Sequence, residues 1–348
     1  MNRVFGRRLD IEKGKVDMSH GAGGKAMAQL IEELFAAELD NDLLRERNDH
    51  ALLPELGAGR VAMTTDGFVV SPLFFPGGDI GSLAVHGTVN DLAMAGAVPR
   101  YLTSGFILEE GLPLSELHRI VSSMARAARD AGVLVVTGDT KVVEHGKGDG
   151  VFIHTTGVGV VPEGVTAPGG ARARPGDRVL VSGTIGDHGV AILSKRQGIA
   201  FETDIVSDSQ PLHDLVAAML AVVPDVHVLR DPTRGGVAAT LNEIAQQSGV
   251  GMQLVEDTIP VKGPVAAACE LLGIDPLHVA NEGKLLAICA PDDADPLLEA
   301  MHAHPRGADA AIIGTITEDA ERFVQLETAF GGTRVVDWAS GEPLPRIC

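Results

Sequence analysis

The 348-residue chain has little cysteine, few aromatic residues and a shortage of basic charge. Cys269, Cys289 and Cys348 are its three cysteines, with no C-x-x-C pair. That excludes a disulfide framework and a zinc knuckle and points to a reducing, cytoplasmic setting. Lys and Arg number 28 against 47 Asp and Glu, a formal charge of −19. Such a balance excludes a general nucleic-acid binder and disfavours anionic membrane surfaces. No apolar run approaches the ~18 residues of a membrane span. The N-terminal MNRVFGRRLDIEKGK has no apolar stretch of a secretory leader. Aromatics are only 3%, so the core is aliphatic, whereas glycine is plentiful at 42 residues. Abundant glycine signals tight turns and close backbone approaches to a polar ligand.

At roughly 150 residues per domain, the length predicts about two domains. Met27, Leu30, Ile31, Leu34, Phe35 and Leu39 stripe a helix over 26–39. A strand over 61–65 runs into Asp66, and 81–96 reads as an Ala- and Gly-rich helix bearing Asn90 and Asp91. Residues 101–108 form a strand, and Ser115 caps a helix that ends at Gly132. The strand 133–137 leads into Gly138-Asp139-Thr140-Lys141, and 152–161 closes the first half. The segment 168–177, rich in Pro, Gly and Arg, then links domain 1–167 to domain 178–335. In the second domain, strands are expected at 178–183, 252–256, 284–290 and 310–317. Helices are expected at 187–197, 211–222, 235–248, 263–272 and 294–303. The class is α+β, with mixed α/β layers. Residues 336–348 carry Gly341, Pro343 and Pro345 and read as a stiff arm. Extended, it would reach roughly 40 Å.

Four sets of residues carry candidate chemistry. Gly21, Gly23, Gly24 and Lys25 in HGAGGK precede the first helix, where backbone N–H groups can approach phosphate oxygens. The spacing is not that of a Walker A loop, and a flexible helix entry is the alternative. Asp66, Asp91, Asp139 and Asp231 sit at element ends, two of them beside glycine, as Mg²⁺ ligands around nucleotide phosphates do; taken singly, each is also a turn or cap residue. Asp49 is a weaker fifth. Four carboxylates facing a polyphosphate need cations, and Lys141 is the natural one. In DPTRGG, Arg234 is an anion contact or an ion-pair partner, and Gly235 permits close backbone approach. In NEGK, Glu282 is a general base or a solvated turn residue. Cys269 and Cys289 lie in apolar stretches and read as core, and His188 as a cap or packing residue. Cys348 ends a Pro-containing arm with no core to fill, and suits a carrier whose load another enzyme attaches.

The segments HGAGGKAM (20–27), TTDGFVVSPLFFPGGDIG (64–81), VTGDTKVV (136–143), LRDPTRGGV (229–237), ANEGKL (280–285) and the ending EPLPRIC (342–348) run in order along nearly the whole chain. Together they resemble the HypE family of hydrogenase maturation proteins, in the aminoimidazole ribonucleotide synthetase superfamily. The resemblance implies a two-domain synthetase-like fold with a flexible C-terminal arm. It implies an ATP- and Mg²⁺-dependent dehydratase that converts a carboxamide on the Cys348 sulfur to a thiocyanate. That group would supply the cyanide ligands of the [NiFe]-hydrogenase iron. The carbamoyltransferase HypF would load Cys348, and the HypC–HypD complex would receive the cyanide. Glu282 and Lys141 would share the proton abstraction, with Asn90, Thr140, Arg234 and Gly235 among the nucleotide contacts. A homodimer with ATP near the subunit interface is implied too. The alternatives are a selenophosphate synthetase or thiamine-monophosphate kinase type of enzyme, or a nucleotide-gated scaffold without chemistry.

Overall fold

The computed structural model describes residues 8–46, 48, 50–198, 205–339 and 346–348. In the first domain a helical run begins with α1 (Lys25–Leu30), passes through a π-turn and ends in α2 (Ala36–Glu38). A short α3 (Asp42–Arg45) follows. Next come β1 (Arg60–Phe68), the small hairpin β2 (Phe74–Phe75) and β3 (Gly78–Asp79), and α4 (Ile80–Met94). The domain continues with β4 (Val98–Glu109), α5 (Leu114–Asp130), β5 (Leu134–Val143) and β6 (Val151–Val161). The four long strands form one sheet in the order β1-β6-β4-β5. Helices α4 and α5 cover one face of it. The apolar residues of α4 surround its whole circumference, so it is buried on nearly every side. Its Gly81 has no room for a side chain: a Cβ there would stand 2.2 Å from the Ile120 carbonyl oxygen of α5. The other sheet face is open and leaves Val61 and Met63 of β1 63% and 72% exposed.

The second domain contains β7 (Arg178–Val181), α6 (Asp187–Gln197), α7 (His213–Val222), β8 (Val228–Arg230) and α8 (Gly236–Ser248). It continues with β9 (Gly251–Val255), α9 (Gly263–Leu272), β10 (Leu286–Cys289) and α10 (Ala294–His302). It ends in β11 (Ala311–Thr317), β12 (Val324–Glu327) and β13 (Thr333–Val335). Its seven strands order as β13-β12-β9-β11-β7-β10-β8. The domains share their interior. Val190–Leu193 of α6 and Cys269 of α9 pack into the first core, and Ala93 and Met94 of α4 pack against α7.

The helices expected from apolar periodicity are present, within a few residues at their ends. Three differences bear on the site. Strand β5 runs on through Asp139, Thr140 and Lys141, so these residues lie in the sheet and not in a loop after it. The 168–177 segment is bound to the second domain: Gly169 N–H donates to the His227 carbonyl, Ala173 is buried, and Gly176 N–H donates to the Ile316 carbonyl. The arm starts later than 336. Val336 is fully buried, its N–H bonded to the Val324 carbonyl and its own carbonyl held by Asn242. Gly341, Pro343 and Pro345 lie outside the described residues, as does Asp49. The last three residues, Arg346–Cys348, are docked on the body rather than extended from it. Cys269 and Cys289 are core residues, and burial raises their thiols to about 11 and about 12. Among the described residues, no helix is long and apolar enough to cross a membrane.

Candidate functional site

The sheet register separates the sequence-predicted site residues into two groups. Asp66 lies across from Thr155 of β6, which lies across from Ser104 of β4 and then Gly138 of β5. The next row is Gly67, His154, Gly105 and Asp139. Neighbouring residues in a strand face opposite sides. Asp66 therefore points to the helix-covered face, while Asp139 and Lys141 point to the open one. The two carboxylates are also three strand spacings apart, about 14 Å.

The first group lies on β5 and the loop before α1. Gly21 packs so close to Val142 of β5 that a Cβ would meet its backbone nitrogen at 2.9 Å. This contact sets Gly21, Gly23, Gly24 and Lys25 beside Asp139, Thr140 and Lys141. Lys141 Nζ holds both Asp139 oxygens at 2.6 and 2.5 Å, and that bond keeps the carboxylate below its ordinary pKa. Beside them a cavity of about 860 Å³ is lined by Met27, Ile31, Phe35, Phe106, Val135 and Thr137 among others. Its lining mixes these apolar side chains with polar ones, Glu32, Asp40, Arg45 and Asn48 as well as Asp139 and Thr140, as small-molecule sites commonly do.

The second group gathers where the domains meet. Asp66, Asp91, Asp231 and Glu282 come close enough to repel one another. Asp91, although it accepts the Thr64 hydroxyl at 2.8 Å, is pushed up to about 6 by burial and by the Asp66 charge. Asp231 is pushed up to about 7 by burial, Asp91 and Asp66. Glu282 is 3% exposed; burial, then Asp231 and Asp208, hold it well above the carboxylate range. Its Oε1 has no hydrogen-bond partner, nor has Asp208 Oδ2, which stands 3.6 Å from Lys284 Nζ. Arg234 is exposed, and its positive charge lowers Asp66 against the larger effect of burial. Gly235 caps α8 with φ +77°.

Two residues make contacts beyond those expected. The Asn90 amide is engaged inside the protein. Its Nδ2 donates to the Gln210 and Glu282 carbonyls, and its Oδ1 accepts from Leu212 N–H. It fixes the Glu282 segment. Cys348 does not dangle. Its terminal carboxylate accepts from Val69 N–H at 3.0 Å, three residues beyond Asp66, and its side chain packs partly against the first core.

Across the whole length the chain has close relatives. A carbamoyl dehydratase HypE of Azotobacter vinelandii is 70% identical over 98% of this chain and 99% of its own length. The chain belongs to the HypE family of carbamoyl dehydratases. In keeping with this, the N-terminal domain of AIR synthase related proteins matches residues 47–161, and the C-terminal domain matches 174–327. A HypE crystallised with ATP superposes with a TM-score of 0.91 at 50% identity, covering 95% of this chain and 99% of that one. HypE from a HypE–HypF complex superposes at 0.78 and 51% identity, covering 89% of this chain and 99% of that one. A thiamine-monophosphate kinase of Stenotrophomonas maltophilia shares only the fold, at 23% identity and TM-score 0.66.

The HypE-family site also holds residues that motif reading passed over. Asp208 accepts Glu282 N–H at 3.0 Å across 74 positions of sequence, and no local signal marks it. Lys284 lies within the NEGK motif but was assigned no task, and the fold buries it against Asp208.

Proposed function

We propose that this HypE-family enzyme uses ATP to dehydrate a carboxamide on the Cys348 sulfur, leaving an S-cyanide for the [NiFe]-hydrogenase iron. The observation that carries this reading is the docked C-terminus. Cys348 is held against Val69, just past the end of the strand bearing Asp66, one of four mutually repelling carboxylates.

The chemistry suits that setting. Hydroxide is a poor leaving group, so the amide oxygen is first made into a phosphate ester. That oxygen bonds to the γ-phosphorus of ATP as the bond to ADP breaks. The carbon–oxygen bond then cleaves, phosphate leaves with the electron pair, and nitrogen gives up its two protons to form the nitrile. Phosphate, with a second pKa near 6, departs readily. Glu282 is placed to take a proton. Burial and four negative neighbours, Asp231, Asp208, Asp66 and Asp91, raise its pKa. Cations that offset Asp66, Asp91 and Asp231 lower its pKa towards the working range of a general base.

Mg²⁺ fits this cluster. Uncompensated carboxylates and two orphaned buried oxygens call for positive charge. Among the described residues no three acidic, His or Cys side chains stand close enough to hold an ion unaided. Mg²⁺ does not require that, since it keeps several waters and takes one or two carboxylates plus substrate phosphates. Asp66, Asp91 and Asp231 would hold it; bound there, it would neutralise charge on the transferring phosphoryl group.

Lys141 and the glycine loop serve the same reaction from a second copy of the chain. The apolar open sheet face is what a homodimer would cover, and it carries Asp139 and Lys141. The 860 Å³ cavity beside them suits the nucleotide base. HypF loads Cys348 and the HypC–HypD complex takes the cyanide, all in the cytoplasm; the relative captured with HypF supports the first step.

Intact-mass spectrometry tests the reading. Chain carbamoylated at Cys348 with cyanate is compared before and after Mg-ATP, with Glu282→Ala alongside. Loss of one water from the C-terminal peptide, dependent on ATP and absent in the variant, is expected. An unchanged adduct despite bound ATP would overturn it and leave a nucleotide-gated scaffold.

A further inference from the structure

We propose that His188 is a positioning residue: it latches the last three residues of the chain in the register that fixes Cys348 beside Val69. What the docked tail is for rests on the dehydratase reading; whether His188 docks it does not.

The tail runs alongside Val69–Ser71. Arg346 O accepts from Ser71 N–H at 3.2 Å and from Arg196 at 2.8 Å, and Cys348 O accepts from Val69 N–H at 3.0 Å. Arg346 adopts φ +53°, and the Ile347 carbonyl turns into the protein, where its side chain is also buried, at 2% exposure. A buried carbonyl without a donor is costly. His188 supplies the donor, its Nε2 standing 2.9 Å from the Ile347 oxygen.

The imidazole is prepared for this task. It is fully buried in the first turn of α6, edge-on to the Phe75 ring. A carbonyl only accepts, so Nε2 must carry the proton, and neutral Nδ1 must accept. Ser207 Oγ, 2.7 Å from Nδ1, donates there and itself accepts Ser209 N–H. Burial keeps the ring neutral by lowering its pKa. The next residue, Asp208, accepts Glu282 N–H. One segment thus sets both the latch and the proton acceptor. The tail hydrogen bonds named here go to main-chain carbonyls and the terminal carboxylate, so they stand whichever group the sulfur carries.

Iodoacetamide, with the products mapped by peptide mass, reads the latch in the full-length chain, because Cys269 and Cys289 are buried. His188→Leu removes the donor and should raise the Cys348 alkylation rate about tenfold, the worth of one hydrogen bond. His188→Gln places an amide N–H near Nε2 and should restore a rate close to wild type. Ser207→Ala frees the ring to adopt the other tautomer and should also speed alkylation; it decides the matter if the leucine variant does not fold. Wild-type rates in the leucine and alanine variants, or a glutamine variant as fast as leucine, would overturn the proposal. Single-turnover water loss by carbamoylated chain should slow in the leucine variant and recover with glutamine. If wild type itself loses no water, the dehydratase reading falls while alkylation still decides the latch.

Discussion

Asp231→Asn should stabilise the ligand-free protein while abolishing its dehydration activity. Burial and the Asp91 and Asp66 charges raise Asp231 from 3.8 to about 7. That is about 3 units, or about 4 kcal/mol at 1.36 kcal/mol per unit. The side chain keeps some contact with water, and screening reduces the figure to about 2 kcal/mol. The folded pKa lies above the unfolded one, so this stability is present in full below pH 4 and lost as pH rises through 7. Asparagine resembles the protonated acid at every pH and escapes the loss. Differential scanning fluorimetry without nucleotide or divalent ions should place the variant about 3 °C above wild type at pH 8. At pH 5 the gap should shrink to roughly a third, since the unfolded carboxyl has then titrated by only about one unit. Mg²⁺ at pH 8 should raise the wild-type Tm more than the variant's. A variant no more stable than wild type at pH 8, or shifted equally at both pH values, would refute the electrostatic account of the cluster.

Gly283→Ala drives a Cβ to 1.8 Å from the Asp208 carbonyl oxygen. It should lower stability by about 1–3 kcal/mol and slow single-turnover dehydration even where circular dichroism shows the fold intact, because Asp208 no longer holds the Glu282 backbone. Lys141→Ala and Glu282→Ala chains are each expected to be inactive alone. Mixed and re-equilibrated, they should recover roughly a quarter of wild-type activity if each site draws Lys141 from one subunit and Glu282 from the other; no recovery would place both in one subunit. Met63→Glu puts a charge on the open sheet face. Multi-angle light scattering should then report a monomer for the variant and a dimer for wild type.

The secondary structure was legible where its signal is local. The stripe from Met27 to Leu39 and the apolar strand over 101–108 announce themselves by spacing alone. Short β8, β12 and β13 did not, because three or four residues carry too little periodicity to separate from loop. Asp139-Thr140-Lys141 read as a loop because Gly138 and Asp139 disfavour strands in isolation. Pairing with β4 overrides that preference. Of the site, the residue types were legible and their grouping was not. Asp66 and Asp139 look alike in sequence, each following a strand-like run beside glycine. The pleat and the strand order send them to opposite faces.

The sequence by itself determined which side chains are available: the glycine loop, four aspartates, Glu282, Lys141 and a terminal thiol. It also determined the family, through motifs that run in order along the chain. Tertiary structure alone decided which of these meet, that Asn90 bonds the Glu282 segment, and that Asp208 holds the Glu282 N–H while His188 joins Ser207 to the Ile347 carbonyl. The reason is physical. Helix and strand preferences act over a few neighbouring residues, whereas burial, repulsion among carboxylates and the hydrogen bond that holds the Ile347 carbonyl join positions 27 to 192 residues apart.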